Sequence, residues 1–172
     1  MRGVTAVGVA MLGSVLFAAS GAFGAGMPAG GSFRVFSTPN SSGTGGTVVF
    51  TGAIGDYGKT VKLSKGHTRF VLKRGTFEIN GTALQAKLAK DNPSVDLATC
   101  SAASTVTAPV SILDGTGLYK GISGTINATV TFAVIGPFYT SGKNKGKCNL
   151  SNSAPTLAQY SSIQGNGTVK FS

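Results

Sequence analysis

Across residues 125–134 every second side chain is apolar: Ile126, Ala128, Val130, Phe132 and Val134 share one parity, while Thr125, Asn127, Thr129 and Thr131 take the other. Neighbouring side chains point to opposite faces only in an extended chain, so this run reads as a long strand with one face buried. A second run sets Val106, Ala108, Val110 and Ile112 against Thr105, Thr107, Pro109 and Ser111, with Pro109 on the polar parity that an edge or bulge tolerates. The two runs form a hairpin. Weaker alternations over residues 47–54, 59–65, 68–79 and 167–171, with the segment around Phe33, bring the total to seven or eight strands. Within 68–79 the apolar parity slips, from Phe70 and Leu72 to Phe77 and Ile79, and Gly75 is the natural place for a bulge. Residues 82–90 fit a two-turn helix with Leu84 and Leu88 on one face, or a strand with Leu84, Ala86 and Leu88 in line.

Regularly spaced strands with glycine between them describe an all-β chain, and the architectures open to it are a closed antiparallel barrel of eight strands or a β-sandwich. An immunoglobulin-type sandwich wants a tryptophan between its cysteines, and the 172 residues contain none, so the barrel is the expectation. Three segments follow: a leader over 1–25, a flexible small-residue tail over 26–31, and one barrel domain over 32–172. The 26 glycines have no triplet period, which excludes collagen.

The leader opens Met1-Arg2, continues in an uncharged run over residues 4–19 whose apolar core, 7–19, is too short to cross a bilayer comfortably, and ends in small residues. This is the pattern of a cleaved export signal, with the cut after Ala25. Export, to the medium, periplasm or cell wall, makes a disulfide between Cys100 and Cys148 the expectation, since these are the only two cysteines. In the chain-entropy account a loop of this length contributes roughly 3 to 4 kcal/mol.

Chemistry-bearing residues are few. The acidic set is Asp56, Glu78, Asp91, Asp96 and Asp114. Asp56 follows Gly55, Asp91 precedes Asn92-Pro93 and Asp114 opens a glycine-rich segment, so these three read as turn residues whose carboxylates bond to backbone amides. Glu78 lies between Phe77 and Ile79 and must face away from them, outward to water or inward to a cavity. The single His67 has no partner in a ligand spacing, so neither a metal nor another cofactor is expected. Fifteen Lys and Arg against five acids give a formal charge of +10. Lys143, Lys145 and Lys147, beside Phe138 and Tyr139, suit contact with an anionic envelope polymer or lipid surface. An exported protein seldom meets nucleic acid, which is not an expected partner.

The segment Asp114-Gly115-Thr116-Gly117-Leu118-Tyr119-Lys120-Gly121-Ile122-Ser123-Gly124, set between the two long strands, resembles the glycine hairpin of allene oxide cyclase-like and dirigent-like barrels, which include many small secreted bacterial proteins. In such a hairpin Gly115, Gly117, Gly121 and Gly124 permit positive φ and close backbone approach while the aromatic plugs the barrel end. The resemblance implies an eight-stranded barrel with a central cavity, often a trimer in plant members; a small apolar ligand in that cavity, or an anionic envelope component on the basic face, is the binding expectation. Its enzymatic members steer cyclisation or coupling in that cavity, largely by shape. Arg69, Glu78 and Tyr119 are the residues to test for a ligand-facing role. Three functions are in view: a non-catalytic binder, a cyclase-type or dirigent-type enzyme, and a structural or adhesive surface protein.

Overall fold

The computed structural model describes residues 29–40, 44–64, 66–151 and 153–172; the expected leader, its cleavage after Ala25 and the start of the expected tail lie outside them. Nine strands and one helix follow in order: β1 Gly30–Pro39, β2 Gly45–Gly52, β3 Asp56–Lys62, β4 His67–Leu72, β5 Gly75–Asn80, α1 Thr82–Lys90, β6 Val95–Asp96, β7 Ser101–Leu113, β8 Ser123–Ile135 and β9 Ala158–Lys170. Gly30 and Gly31, in the segment expected to be a tail, already pair with Lys170 and Val169 of β9.

Each barrel strand pairs antiparallel with its neighbours in the order β1-β2-β3-β4-β5-β7-β8-β9, and β9 returns to β1. Eight strands thus close a barrel, the expected architecture, and β6 pairs outside it on the far end of β7. The seam between β5 and β7 is short: Glu78, Ile79 and Asn80 face Leu113, Ile112 and Ser111. Over residues 103–110, β7 has a strand partner only in β8. Pro109 falls in this stretch, where a missing N–H disrupts nothing. The helix α1 lies against that gap, with Lys87 Nζ donating to the Thr107 carbonyl at 3.0 Å. Residues 82–90 are therefore the helix, which seats Leu84 in the core.

Two strand expectations are corrected. Residues 68–79 form two strands rather than one bulged strand: Leu72 pairs with Gly75 across a tight turn at Lys73-Arg74, and the parity slip is the turn itself. The last strand runs from Ala158, well before residue 167. Its inward positions are Ser161, Ile163, Gly165, Gly167 and Val169, and with three of the five small the apolar period is broken. A Cβ on Gly165 would stand 2.7 Å from Ile126 Cγ2, and one on Gly167 would stand 2.1 Å from the Thr125 carbonyl oxygen, so neighbouring strands fill the space those side chains vacate.

Inward side chains are graded along the axis. Toward the end where β1 begins, Phe33, Phe50, Phe70, Phe77 and Tyr119 form one aromatic stack with ring centroids 5.0 to 6.0 Å apart. Toward the other end, where β1 finishes, the same faces carry Ser37, Thr60, Thr68 and Ser161. One end of the barrel is packed solid and the other is open. The strands β7, β8 and β9, each 13 residues long, run on past the open end as an apron.

Candidate functional site

The small inward residues at the open end leave a cavity of about 320 Å³. Its floor and walls include Val35, Phe70, Val110, Ile126 and Ala128, and Leu84, Gln85 and Leu88 of α1 stand over it. An eight-stranded barrel is just wide enough for its own side chains to fill or for one small ligand. Here the side-chain volumes put both conditions in one barrel, filled below Phe70 and hollow above it. The Ser37 hydroxyl in the wall donates to the Thr47 carbonyl at 2.9 Å, so it is already satisfied. Among the described residues one charged side chain, Lys62, lines the cavity, at its exposed rim. The site is an apolar receptacle with a polar edge.

The sequence-predicted ligand residues do not meet there. Arg69 and Glu78 face each other across β4 and β5 on the outer surface, with Arg69 Nε and Nη2 donating to Glu78 Oε1 at 2.9 and 2.6 Å. The inward reading of Glu78 is thereby excluded, because Phe77 and Ile79 hold the inner face. His67 Nδ1 lies 3.9 Å from Glu78 Oε2 on the same surface.

Tyr119 sits at the opposite, packed end, fully buried against Phe77 and Phe171. Its ring plugs that end of the barrel. The segment holding it forms a 3₁₀ turn over Gly117–Tyr119. Gly115 is required by close approach, since a Cβ there would fall 1.6 Å from the Tyr119 carbonyl oxygen. Gly117 and Gly121 adopt φ of 60° and 74°, and Gly124 of 153°.

Asp56 makes the amide bonds expected of a turn residue and takes on a further role. It is an inward residue at the start of β3, not merely a turn cap, and its side chain is only 4% exposed. Its Oδ2 accepts from the Tyr119 hydroxyl at 2.6 Å and the Arg74 amide at 3.0 Å, and its Oδ1 from the Tyr57 amide at 2.7 Å. Arg74 Nε lies 3.5 Å from Oδ2, and Arg74 Nη2 donates to the carbonyls of Ile54 and Gly55. Burial works to raise the Asp56 pKa, but the Tyr119 hydroxyl, the two amides and the Arg74 charge outweigh it, and the carboxyl sits below its ordinary 3.8. Burial, then the Asp56 hydrogen bond and charge, push the Tyr119 phenol well above its ordinary 10.0. Among the described residues no buried side-chain polar atom is left without a partner, and this group locks the end of the barrel.

The expected disulfide is present. Cys100 and Cys148 are bonded, with Cα atoms 5.1 Å apart. It ties the loop after β8 to the start of β7, where Phe138 and Cys148 also form a β-bridge. Lys143, Lys145 and Lys147 stand exposed on that loop, Phe138 is exposed, and Tyr139 is half-buried. Among the described residues no group of three or more His, Cys, Asp or Glu is arranged to hold a metal ion.

Comparison of the chain with protein families, with curated proteins and with solved structures finds no match.

Proposed function

We propose that this is an exported, non-catalytic barrel protein that binds one small apolar ligand in the cavity under α1. The observation that carries the reading is the gradation of inward side chains: a barrel able to pack itself with aromatics at one end leaves about 320 Å³ of mainly apolar space at the other. Water in such a space gives up hydrogen bonds, so an apolar guest replaces it favourably. Helix α1 rests on the single long gap in the barrel wall and closes the space from the side. The leader pattern and the disulfide support export, and the hairpin over residues 114–124 supports kinship with allene oxide cyclase-like and dirigent-like barrels.

The test is native mass spectrometry of the mature protein purified from its exporting host, before and after denaturation, beside displacement of a fluorescent apolar probe. We expect an extra mass of a few hundred daltons that denaturation releases, and its absence from Ala128→Leu and Ser161→Leu variants that still fold. A bare mass together with no probe binding by folded protein overturns the reading.

A further inference from the structure

Beyond the cavity, the structure carries a second surface, at the tip of the apron. There Leu97, Ile135, Phe138, Leu150 and Leu157 are all exposed, with Leu97, Leu150 and Leu157 showing 61%, 60% and 64% of their surfaces. They are held together by the covalent and backbone framework of the tip. Leu97 lies three residues before Cys100 and Leu150 two after Cys148, Phe138 bridges Cys148, and the Leu157 amide donates to the Ile135 carbonyl at 2.9 Å. Apolar residues scattered singly over a surface need no explanation, but five large ones gathered at one tip do.

The same tip is basic. Lys143, Lys145 and Lys147 ride on the disulfide-tied loop, which Gly142 and Gly146 carry out into solvent: a Cβ on either would meet nothing within 4 Å. The carboxylates on this side, Asp96 and Asp91, accept from the amides of Ala98 and Thr99 and from the Ser104 hydroxyl, and among the described residues neither forms an ion pair with these lysines. Exposed aliphatic groups beside unopposed lysines match a surface that is apolar beneath and anionic on top. A charged polysaccharide would use the lysines and leave the leucines in water, whereas a bilayer of anionic lipids uses both.

We propose that the apron tip docks the protein on an anionic lipid bilayer, with the lysines at the headgroups and Leu97, Phe138, Leu150 and Leu157 in the interface. The geometry orients the molecule. The tip stands on the open side of the barrel, and residue 29 enters at the packed end, where the Phe171 amide donates to its carbonyl. A docked molecule therefore turns its cavity mouth toward the lipid and the start of the described chain away from it.

Vesicle flotation of the mature protein with phosphatidylcholine vesicles, with and without phosphatidylglycerol, tests this. We expect binding to the anionic vesicles only, weakening with salt. K143Q/K145Q/K147Q should lower affinity on the order of 100-fold, at about fivefold per lysine, and Leu150→Ser/Leu157→Ser should lower it further still when combined. These positions are exposed, so circular dichroism should show every variant folded. Equal binding to neutral vesicles, or none to anionic ones, overturns the proposal. So does light scattering that finds a dimer which Leu150→Ser/Leu157→Ser dissociates, since the apolar tip would then belong to a second copy. Binding to an anionic polymer such as polyphosphate in place of vesicles also overturns it.

Discussion

The Tyr119 hydroxyl donates to Asp56 Oδ2 at 2.6 Å, joining residues 63 apart in sequence at the packed end of the barrel. The bond links the glycine segment after β7 to the first residue of β3, and Arg74 from the β4–β5 turn completes the group. Removing a partner from a buried polar group costs more than the bond itself contributes, because the orphan keeps its desolvation penalty. Tyr119→Phe should therefore destabilise the fold by about 1 to 3 kcal/mol in urea unfolding followed by circular dichroism. Asp56→Ala should cost at least as much, since it takes the acceptor from the phenol and from the Tyr57 and Arg74 amides.

The same pair sets a pH window. The folded Asp56 pKa is lowered, so its contribution is present above the ordinary carboxylate value of 3.8 and is lost as pH falls through the folded value. The folded Tyr119 pKa is raised, so its contribution is present below the ordinary 10.0 and is lost as pH rises beyond it. Midpoints of thermal unfolding should hold between these limits and fall on both sides. Tyr119→Phe should abolish its share of the alkaline fall and shrink the acid one; an unchanged alkaline limb would disprove this assignment.

Outward placement of Arg69 and Glu78 predicts a small role. Arg69 is half exposed, and cross-strand ion pairs at such sites contribute roughly 0.2 to 1 kcal/mol. Glu78→Gln should change stability by no more than that and leave apolar probe binding unaltered. A loss of probe affinity would return these residues to the site.

The disulfide and the barrel should be separable. Cys100→Ser/Cys148→Ser should lower stability by about 3 to 4 kcal/mol in the chain-entropy account. Limited trypsin digestion should then cut faster at Lys143, Lys145 and Lys147 than in the native protein, while cleavage at Lys59 stays slow.

Inward glycines of β9 give a stereochemical test. Gly167→Ala places a methyl 2.1 Å from the Thr125 carbonyl oxygen, backbone that must shift, and should cost about 1 to 3 kcal/mol. Gly136→Ala, whose Cβ meets Cys100 Sγ at 3.4 Å, should stay within about 0.5 kcal/mol of wild type.

The extent of strands was legible wherever the buried face is apolar, as over residues 125–134, because alternation is a local property of an extended chain. It failed over the first part of β9, residues 158–166, because the inward Ser161 and Gly165 leave Ile163 as the one apolar side chain to count there. Neither was the bulge expected at Gly75 a bulge, since a parity slip looks the same at a tight turn. The cavity had one local trace, the falling size of Phe33, Val35 and Ser37 along β1, but a void exists only where the small residues of several strands come level.

By itself the sequence determined an all-β chain, a hairpin of two long strands, the one possible intramolecular disulfide and a glycine segment with an aromatic at its centre. Each is written in spacing along a few residues. Only the tertiary structure decided that Glu78 faces out, that Asp56 meets Tyr119, that residues 82–90 coil into a helix over the barrel gap, and that the apron's leucines share a tip with its lysines. Those facts depend on register and on closure between β5 and β7, where residues distant in sequence are brought to one height, and no local period encodes which side chains will meet there.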